Sequence, residues 1–314
     1  MSESLLSVGL DVGTTSTQMV VSRLKVENRA SIFAVPELAI TQREILYESP
    51  VYFTPLLDES HVNGEKIREI VEEEYRKAGI SRAQVDTGAI IITGETSRKE
   101  NARAVLEALS DLAGEFVVAT AGPDLESVLA AKGAGAVGYS EETGKTVLHM
   151  DIGGGTSNLA LIQDGKIRKT GCLNVGGRLV KLSDTGEITY VSPVLQGLFS
   201  GKPGKKITQE EASALADTLT RALEMAAGLR EPTALLDQLL TKETGEVWQP
   251  PEKPDVLSFS GGVADCIEKA HPWLKFGDIG PILGQSIRKS RLCQGQYRLG
   301  TQTIRATVIG AGCH

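Results

Sequence analysis

Basic residues are in the minority, 33 Lys and Arg against 40 Asp and Glu, for a net charge of −7. Nucleic acid and an anionic membrane both need a basic face to displace counterions, so neither is expected as the main partner. Aromatics are scarce: 6 Phe, 6 Tyr and 2 Trp in 314 residues are too few for a platform that stacks exposed bases. No apolar run approaches the roughly 18 residues of a membrane span, and Met1-Ser2-Glu3 is not the basic start of a signal peptide. Paired cysteines are missing too. Cys172, Cys266, Cys293 and Cys313 are widely spaced and form no C-x-x-C, which reads as reduced, buried thiols of a cytoplasmic protein rather than disulfides or a zinc site. Glycine is what the chain has in excess. There are 34 in 314 residues, about 11% against a usual 7% or so. Such glycines are either flexible filler or places where backbone approaches something closely.

At roughly 150 residues per domain, the length predicts about two domains. The chain starts as strand, turn, strand: Leu5–Leu10 is apolar, Asp11-Val12-Gly13-Thr14-Thr15 turns, and Thr17–Val21 resumes apolar, β-branched character. The design returns with Thr146–Met150, then Asp151-Ile152-Gly153-Gly154-Gly155-Thr156, then Ser157–Ile162, an Asp164-Gly165 hairpin turn and a third strand around Ile167. The two Asp residues stand 151 − 11 = 140 positions apart, an internal duplication that predicts two homologous halves facing one another.

Apolar residues at helical spacing mark helices over 66–78 and 98–113, and the capping box Thr208-Gln209-Glu210-Glu211 opens another that runs to about Leu229. Strand-like runs at 89–92, 116–119 and 256–259 alternate with them, so the class is α/β. A nearly side-chain-free helix is expected from about Leu125 to Val137, and the closing run Thr307–Gly312 has the same character. Their small residues suit either tight packing or crossing helices at an interdomain hinge. Stretches 183–206 and 241–255, rich in Gly and Pro, read as surface excursions.

A tight turn of Gly, Thr and Ser exposes consecutive amides and hydroxyls that suit phosphate oxygens. The carboxylate just before each turn, Asp11 or Asp151, is a hard anionic ligand suited to Mg²⁺ directly or through water. Two such turns in matched positions, Gly13-Thr14-Thr15 and Gly153-Gly154-Gly155-Thr156, suit a polyphosphate gripped from both sides. In Ser258-Phe259-Ser260-Gly261-Gly262-Val263, a strand leads through two glycines into an expected helix from Ala264. The missing Cβ atoms let backbone lie flat on a planar group or sugar.

As a set, Asp11–Thr15, Asp151–Thr156 and Ser260–Val263 resemble the first phosphate, second phosphate and adenosine motifs of the actin/Hsp70/sugar-kinase superfamily. The two small-residue helices resemble its connecting helices. The resemblance implies two ribonuclease-H-like domains in an actin-like ATPase fold, flanking a cleft that takes ATP and Mg²⁺. The domains would span 1–140 plus 301–314 and 141–300, with Asp11 and Asp151 as metal ligands and Gly13, Thr14, Thr15, Gly153, Gly154, Gly155, Thr156, Gly261 and Gly262 around the nucleotide. In the Hsp70 and actin branches a Glu or Gln begins the first connecting helix nine residues before a glycine. Glu126 matches that position, nine before Gly135, and would place the attacking water. Glu95, after the strand 89–92, is its rival.

Within the superfamily the chain resembles the ethanolamine ammonia-lyase reactivating factors, the EutA family, through residues 5–15, 89–95, 172–179, 276–281 and 305–312. That family normally continues past the Gly-Ala-Gly of the last connecting helix, whereas this sequence stops at Cys313-His314, so a shortened chain is expected. The resemblance implies a chaperone-like, ATP-dependent factor that remodels adenosylcobalamin-dependent ethanolamine ammonia-lyase, so that damaged cobalamin leaves and adenosylcobalamin enters. It also implies a cytoplasmic setting associated with a bacterial microcompartment. A small-molecule kinase and an actin-like nucleotide-binding scaffold are the competing readings. The glycine-rich run 151–156 looks more like the ATPase branch than the kinase branch. Nothing in the sequence indicates an oligomeric state.

Overall fold

The computed structural model describes residues 2–13, 16–28, 38–58, 61–93, 101–110, 116–120, 122–242, 248–249, 251 and 253–313. Thr14, Thr15 and Glu95 lie outside them. The chain forms two compact units, Met1–Gly122 with Thr307–His314, and Pro123–Ala306.

The first unit contains β1 (Ser2–Val12), β2 (Ser16–Asn28), β3 (Leu38–Glu48), β4 (Tyr52–Phe53), α1 (Gly64–Lys77), β5 (Thr87–Ile92), α2 (Ala102–Ser110) and β6 (Phe116–Thr120). The sheet runs β3-β2-β1-β5-β6, with β4 beside β2. β1, β2 and β3 are antiparallel, while β5 and β6 run parallel to β1. Alternation on β1 sends Val8, Leu10 and Val12 into one core with Ile67, Val71 and Tyr75 of α1 and Ala102, Val105 and Leu109 of α2. The Asn63 side chain caps α1 by accepting from the Lys66 amide at 3.0 Å.

The second unit begins with α3 (Pro123–Gly133) and α4 (Ala136–Thr143), then β7 (Val147–Ile152), β8 (Ser157–Gln163), β9 (Lys166–Leu173), β10 (Val180–Leu182) and β11 (Ile188–Val191). It continues with α5 (Gln209–Ala226), α6 (Ala234–Leu239), β12 (Val256–Ser260), α7 (Asp265–Glu268), α8 (Gly280–Lys289) and β13 (Tyr297–Leu299). Its main sheet runs β13-β12-β7-β8-β9, the first unit's order read in reverse, with the same parallel and antiparallel neighbours. The expected duplication is therefore structural: each unit carries the ribonuclease-H-like sheet. The chain returns to the first unit in α9 (Ala306–Cys313). There the Ser7 hydroxyl donates to the Gly312 carbonyl at 2.6 Å, and a Cβ on Gly9 would lie 2.6 Å from the Val308 carbonyl oxygen. Only glycine at position 9 lets α9 sit this close to β1.

Several local expectations change. Residues 123–140 and 301–306, expected with the first domain, pack within the second unit. Ala131 and Ala136 share a core with Val147, Ala160 and Ile162, and the Ser127 hydroxyl reaches the Gly171 carbonyl at 3.3 Å. The small-residue helix is two helices, because Gly135 adopts φ +72° between α3 and α4. The helix after Gly262 is a single turn, α7. Stretch 183–206 is not purely a surface excursion: β11 pairs with β10, and Ile188 and Leu195 are buried. In 241–255, Trp248 is buried and donates to the Ala226 carbonyl at 3.3 Å. The capping box at Thr208 forms as expected, and α5 stops at Ala226, just before Gly228 with φ +70°. Cys172, Cys266 and Cys293 are buried free thiols. Among the described residues, no helix is long and apolar enough to cross a membrane.

One buried carboxylate ties α1 to two strands. Glu74 accepts from Lys77 Nζ at 2.8 Å, Tyr52 Oη at 2.5 Å and Tyr47 Oη at 2.7 Å. Burial pushes this carboxyl up, but the three donors together draw it below its ordinary value of 4.5. A carboxyl held low stabilises the fold fully above its unfolded pKa, and that support is lost as pH falls through the lowered value. Glu74→Gln is therefore expected to flatten the fall in Tm between about pH 5 and pH 3. Calorimetry across that range checks this, and an unaltered profile would show that the cluster adds no acid-sensitive stability.

Candidate functional site

Each expected phosphate turn is closed by the same backbone bond. The Gly13 amide donates to the Ser16 carbonyl, and the Gly153 amide to the Thr156 carbonyl, both at 2.9 Å and 140 residues apart. Strand register matches as well. Asp11 pairs with Gln18 on β2 and Ile91 on β5, while Asp151 pairs with Asn158 on β8 and Ser260 on β12. Asp11 and Asp151 are 8% and 7% exposed, which puts two carboxylates near the ends of central strands with little access to water. Each is oriented by a hydroxyl from the neighbouring parallel strand or its end: Thr93 Oγ1 donates to Asp11 Oδ1 at 2.9 Å, and Ser260 Oγ to Asp151 Oδ1 at 2.5 Å.

In the second unit the turn rests on another layer of backbone. The amides of Gly177 and Arg178 donate to the carbonyls of Gly153 and Gly154 at 3.0 and 2.6 Å. Below them, the Ile279 amide donates to the Gly177 carbonyl at 3.0 Å. Asp278 accepts from the Gly280 amide at 2.8 Å and from Arg178 Nε at 3.2 Å. Burial pushes the Asp278 carboxyl up and outweighs the lowering by the Gly280 amide and the Arg178 guanidinium. The stretches 172–179 and 276–281, noted in the sequence only as family-like, are thus the support beneath the turn.

Gly261 has φ +87°, and a Cβ there would lie 2.3 Å from the Ile152 carbonyl oxygen. Gly262 is exposed, with nothing within 4 Å of a Cβ position. Gly261 therefore sits directly on the end of β7, while Gly262 faces open space, as backbone that can approach a ligand would. Glu126 lies half-buried in the first turn of α3, where a carboxylate is favoured by the helix dipole. That turn is held on β9 by Thr170 Oγ1 donating to Asp124 Oδ1 at 2.6 Å and by Ser127 reaching Gly171.

Among the described residues, no cluster of three or more His, Cys, Asp or Glu side chains forms a ready metal centre. Beside Asp151, however, Asn158 Oδ1 is buried without a hydrogen-bond partner. An orphaned amide oxygen next to a carboxylate is a hard donor set, and it fits a hydrated Mg²⁺.

Motif reading left Asn158, Arg178, Asp278 and His149 out of the site, and it took in Ser260 as part of the Ser260–Val263 motif without a role for its hydroxyl. His149 carried a signal: two positions before Asp151 on a strand, it lies on the same face. Arg178 and Asp278 had none, because they meet as partners 100 residues apart. A Cβ on Gly176 would lie 2.3 Å from the Gly154 carbonyl oxygen. Gly176→Ala must shift the turn and is expected to cost about 1–3 kcal/mol of stability. Gly262→Ala is expected to stay within about 0.5 kcal/mol. Denaturant titration of both variants checks the contrast, and equal costs would refute the close approach.

The family model described as ethanolamine utilisation protein EutA matches residues 3–314. Ethanolamine ammonia-lyase reactivase EutA of Salmonella typhimurium is 40% identical over 326 residues, covering 99% of this chain and 67% of its own length. The reactivase of the same name from Escherichia coli is 41% identical with the same coverage. The chain thus spans about two thirds of the length of these relatives. Two crystal structures of Aquifex aeolicus Ppx/GppA proteins match with TM-scores of 0.54 and 0.55 at 14% and 13% identity. They cover 97% and 98% of this chain, and 98% and 97% of their own. At that identity the likeness is one of fold alone, the two-domain actin-like ATPase fold that the duplicated sheets display. By the family match over nearly its whole length and by these relatives, the chain belongs to the EutA family of ethanolamine utilisation proteins.

Proposed function

We propose that the chain is an ATP-dependent reactivating factor for ethanolamine ammonia-lyase, which exchanges damaged cobalamin for adenosylcobalamin. The observation that carries the nucleotide reading is the pair of register-matched turns, each preceded by a buried, hydroxyl-oriented carboxylate. The relatives named as reactivases of that lyase support the choice of target.

In this reading Gly13, Thr14 and Thr15, with Gly153, Gly154, Gly155 and Thr156, offer amides and hydroxyls to the phosphates, and Gly261 and Gly262 lie against the adenosine. Asp11 and Asp151 hold Mg²⁺, directly or through water, with Asn158 beside Asp151. When bound, Mg²⁺ neutralises charge on the phosphate oxygens. Glu126 places the water that attacks the terminal phosphate, and Glu95 is the alternative for that role. Hydrolysis acts as a timer for conformational change that loosens the lyase. Action in the cytoplasm with a bacterial microcompartment completes the proposal.

Asp151→Asn is expected to weaken Mg·ATP binding at least about tenfold, and calorimetric titration checks this. Glu126→Gln should bind ATP normally and hydrolyse it about a hundredfold more slowly. Unchanged turnover would remove Glu126 from the mechanism. The decisive assay incubates cyanocobalamin-blocked ethanolamine ammonia-lyase with this protein, ATP, Mg²⁺ and free adenosylcobalamin. ATP-dependent recovery of deamination is expected, and its absence would overturn the reactivase reading.

A further inference from the structure

His149 is fully buried in β7 and uses both ring nitrogens, Nδ1 at 3.1 Å from Ser258 Oγ and Nε2 at 2.9 Å from Ser260 Oγ. The parallel register of β7 and β12 places Ser258 opposite His149 and Ser260 opposite Asp151, so all four side chains share one face of the sheet. Donor counting gives the chain a direction. A serine hydroxyl has one hydrogen, and that of Ser260 goes to Asp151 Oδ1. Its oxygen must therefore accept from His149 Nε2–H. The imidazole Nδ1 then carries no proton and accepts from the Ser258 hydroxyl. With a hydroxyl on each ring nitrogen, a single neutral tautomer satisfies every bond.

The first unit serves as an internal control. The position 140 residues earlier is Gly9, where a side chain would collide with α9, and Asp11 is oriented by Thr93. The sheet therefore does not require an imidazole at this place. Burying one where an apolar side chain would pack is unfavourable unless every polar atom is paired, and here the pairing ends on the carboxylate at the turn. Beside that carboxylate lies the orphaned Asn158 Oδ1.

We propose that His149 is a positioning residue for Asp151: acting through Ser260, it fixes the direction in which the carboxylate meets a Mg²⁺–nucleotide. The proposal rests on the nucleotide reading of the Asp151 turn and adds a residue to it. Ser258 and His149 polarise the Ser260 hydroxyl, and cooperative hydrogen bonds of this kind hold an acceptor more firmly than one hydroxyl does.

The test measures binding of a non-hydrolysable ATP analogue with and without Mg²⁺, on wild type, His149→Phe, His149→Gln, Ser260→Ala and the His149→Phe/Ser260→Ala pair. Removing the chain is expected to weaken the Mg²⁺-dependent affinity about tenfold, as loss of an outer-shell partner does, and to leave metal-free affinity unchanged. His149→Gln keeps a donor within reach of Ser260 and should recover most of the loss. The double variant should be no weaker than the worse single one, because both changes cut one chain. Ser260→Ala removes only a hydroxyl and carries the same expectation if His149→Phe fails to fold. In ¹⁵N-histidine spectra of wild type, where only four histidines resonate, His149 should show the Nε2–H tautomer. An Nδ1–H tautomer, additive losses, or unchanged Mg²⁺-dependent affinity in folded His149→Phe overturns the proposal alone. Wild-type protein that binds no Mg²⁺–nucleotide overturns the reading of the site and this proposal with it.

Discussion

The structure is organised around holding a carboxylate near the end of a central strand, away from water, in one orientation. A buried carboxylate left without donors is strongly unfavourable, so each must be met by a hydroxyl at short range. Thr93 meets Asp11, and Ser260 meets Asp151. That requirement shapes the sheets. In both units the hydroxyl comes from the parallel strand beside the first one or from its end, which needs crossover connections and covering helices. Both units solve the problem with the same strand order.

A second constraint follows from the turns. Their amides are available to a ligand only if the turn backbone is held from behind by something other than side chains. In the second unit that support is backbone on backbone, residues 176–178 against 153–154, and it closes only because Gly176 has no Cβ. In the first unit the same economy brings α9 against Gly9. At Gly9 and Gly176 the missing Cβ thus serves close contact rather than flexibility, and it stiffens the frame around each turn.

Much of this was legible in the sequence. The repeated Asp-x-Gly turn, 140 residues apart, revealed the duplication, because the same local pattern folds to the same hairpin. Helical periodicity found α1 and α2, and the capping box at Thr208 found the start of α5. Other features were not legible. The break at Gly135 sits inside a run of small residues whose spacing fits one continuous helix. The burial of Ile188, Leu195 and Trp248 came as a surprise, since Gly and Pro around them signal turns and say nothing of what the turns cover. Assignment of α3 and α4 to the second unit depends on packing against β7–β9, which no local pattern encodes.

By itself the sequence determined the α/β class, the twofold repeat and the placing of a carboxylate before each glycine-rich turn, because propensity, periodicity and turn chemistry act over a few neighbouring residues. Only the tertiary structure decided what surrounds those carboxylates. Ser260 stands 109 residues from Asp151 and 111 from His149, and Asp278 stands 100 from Arg178. These partners meet through strand register and backbone packing, and a contact formed across a sheet leaves no periodic trace along the chain.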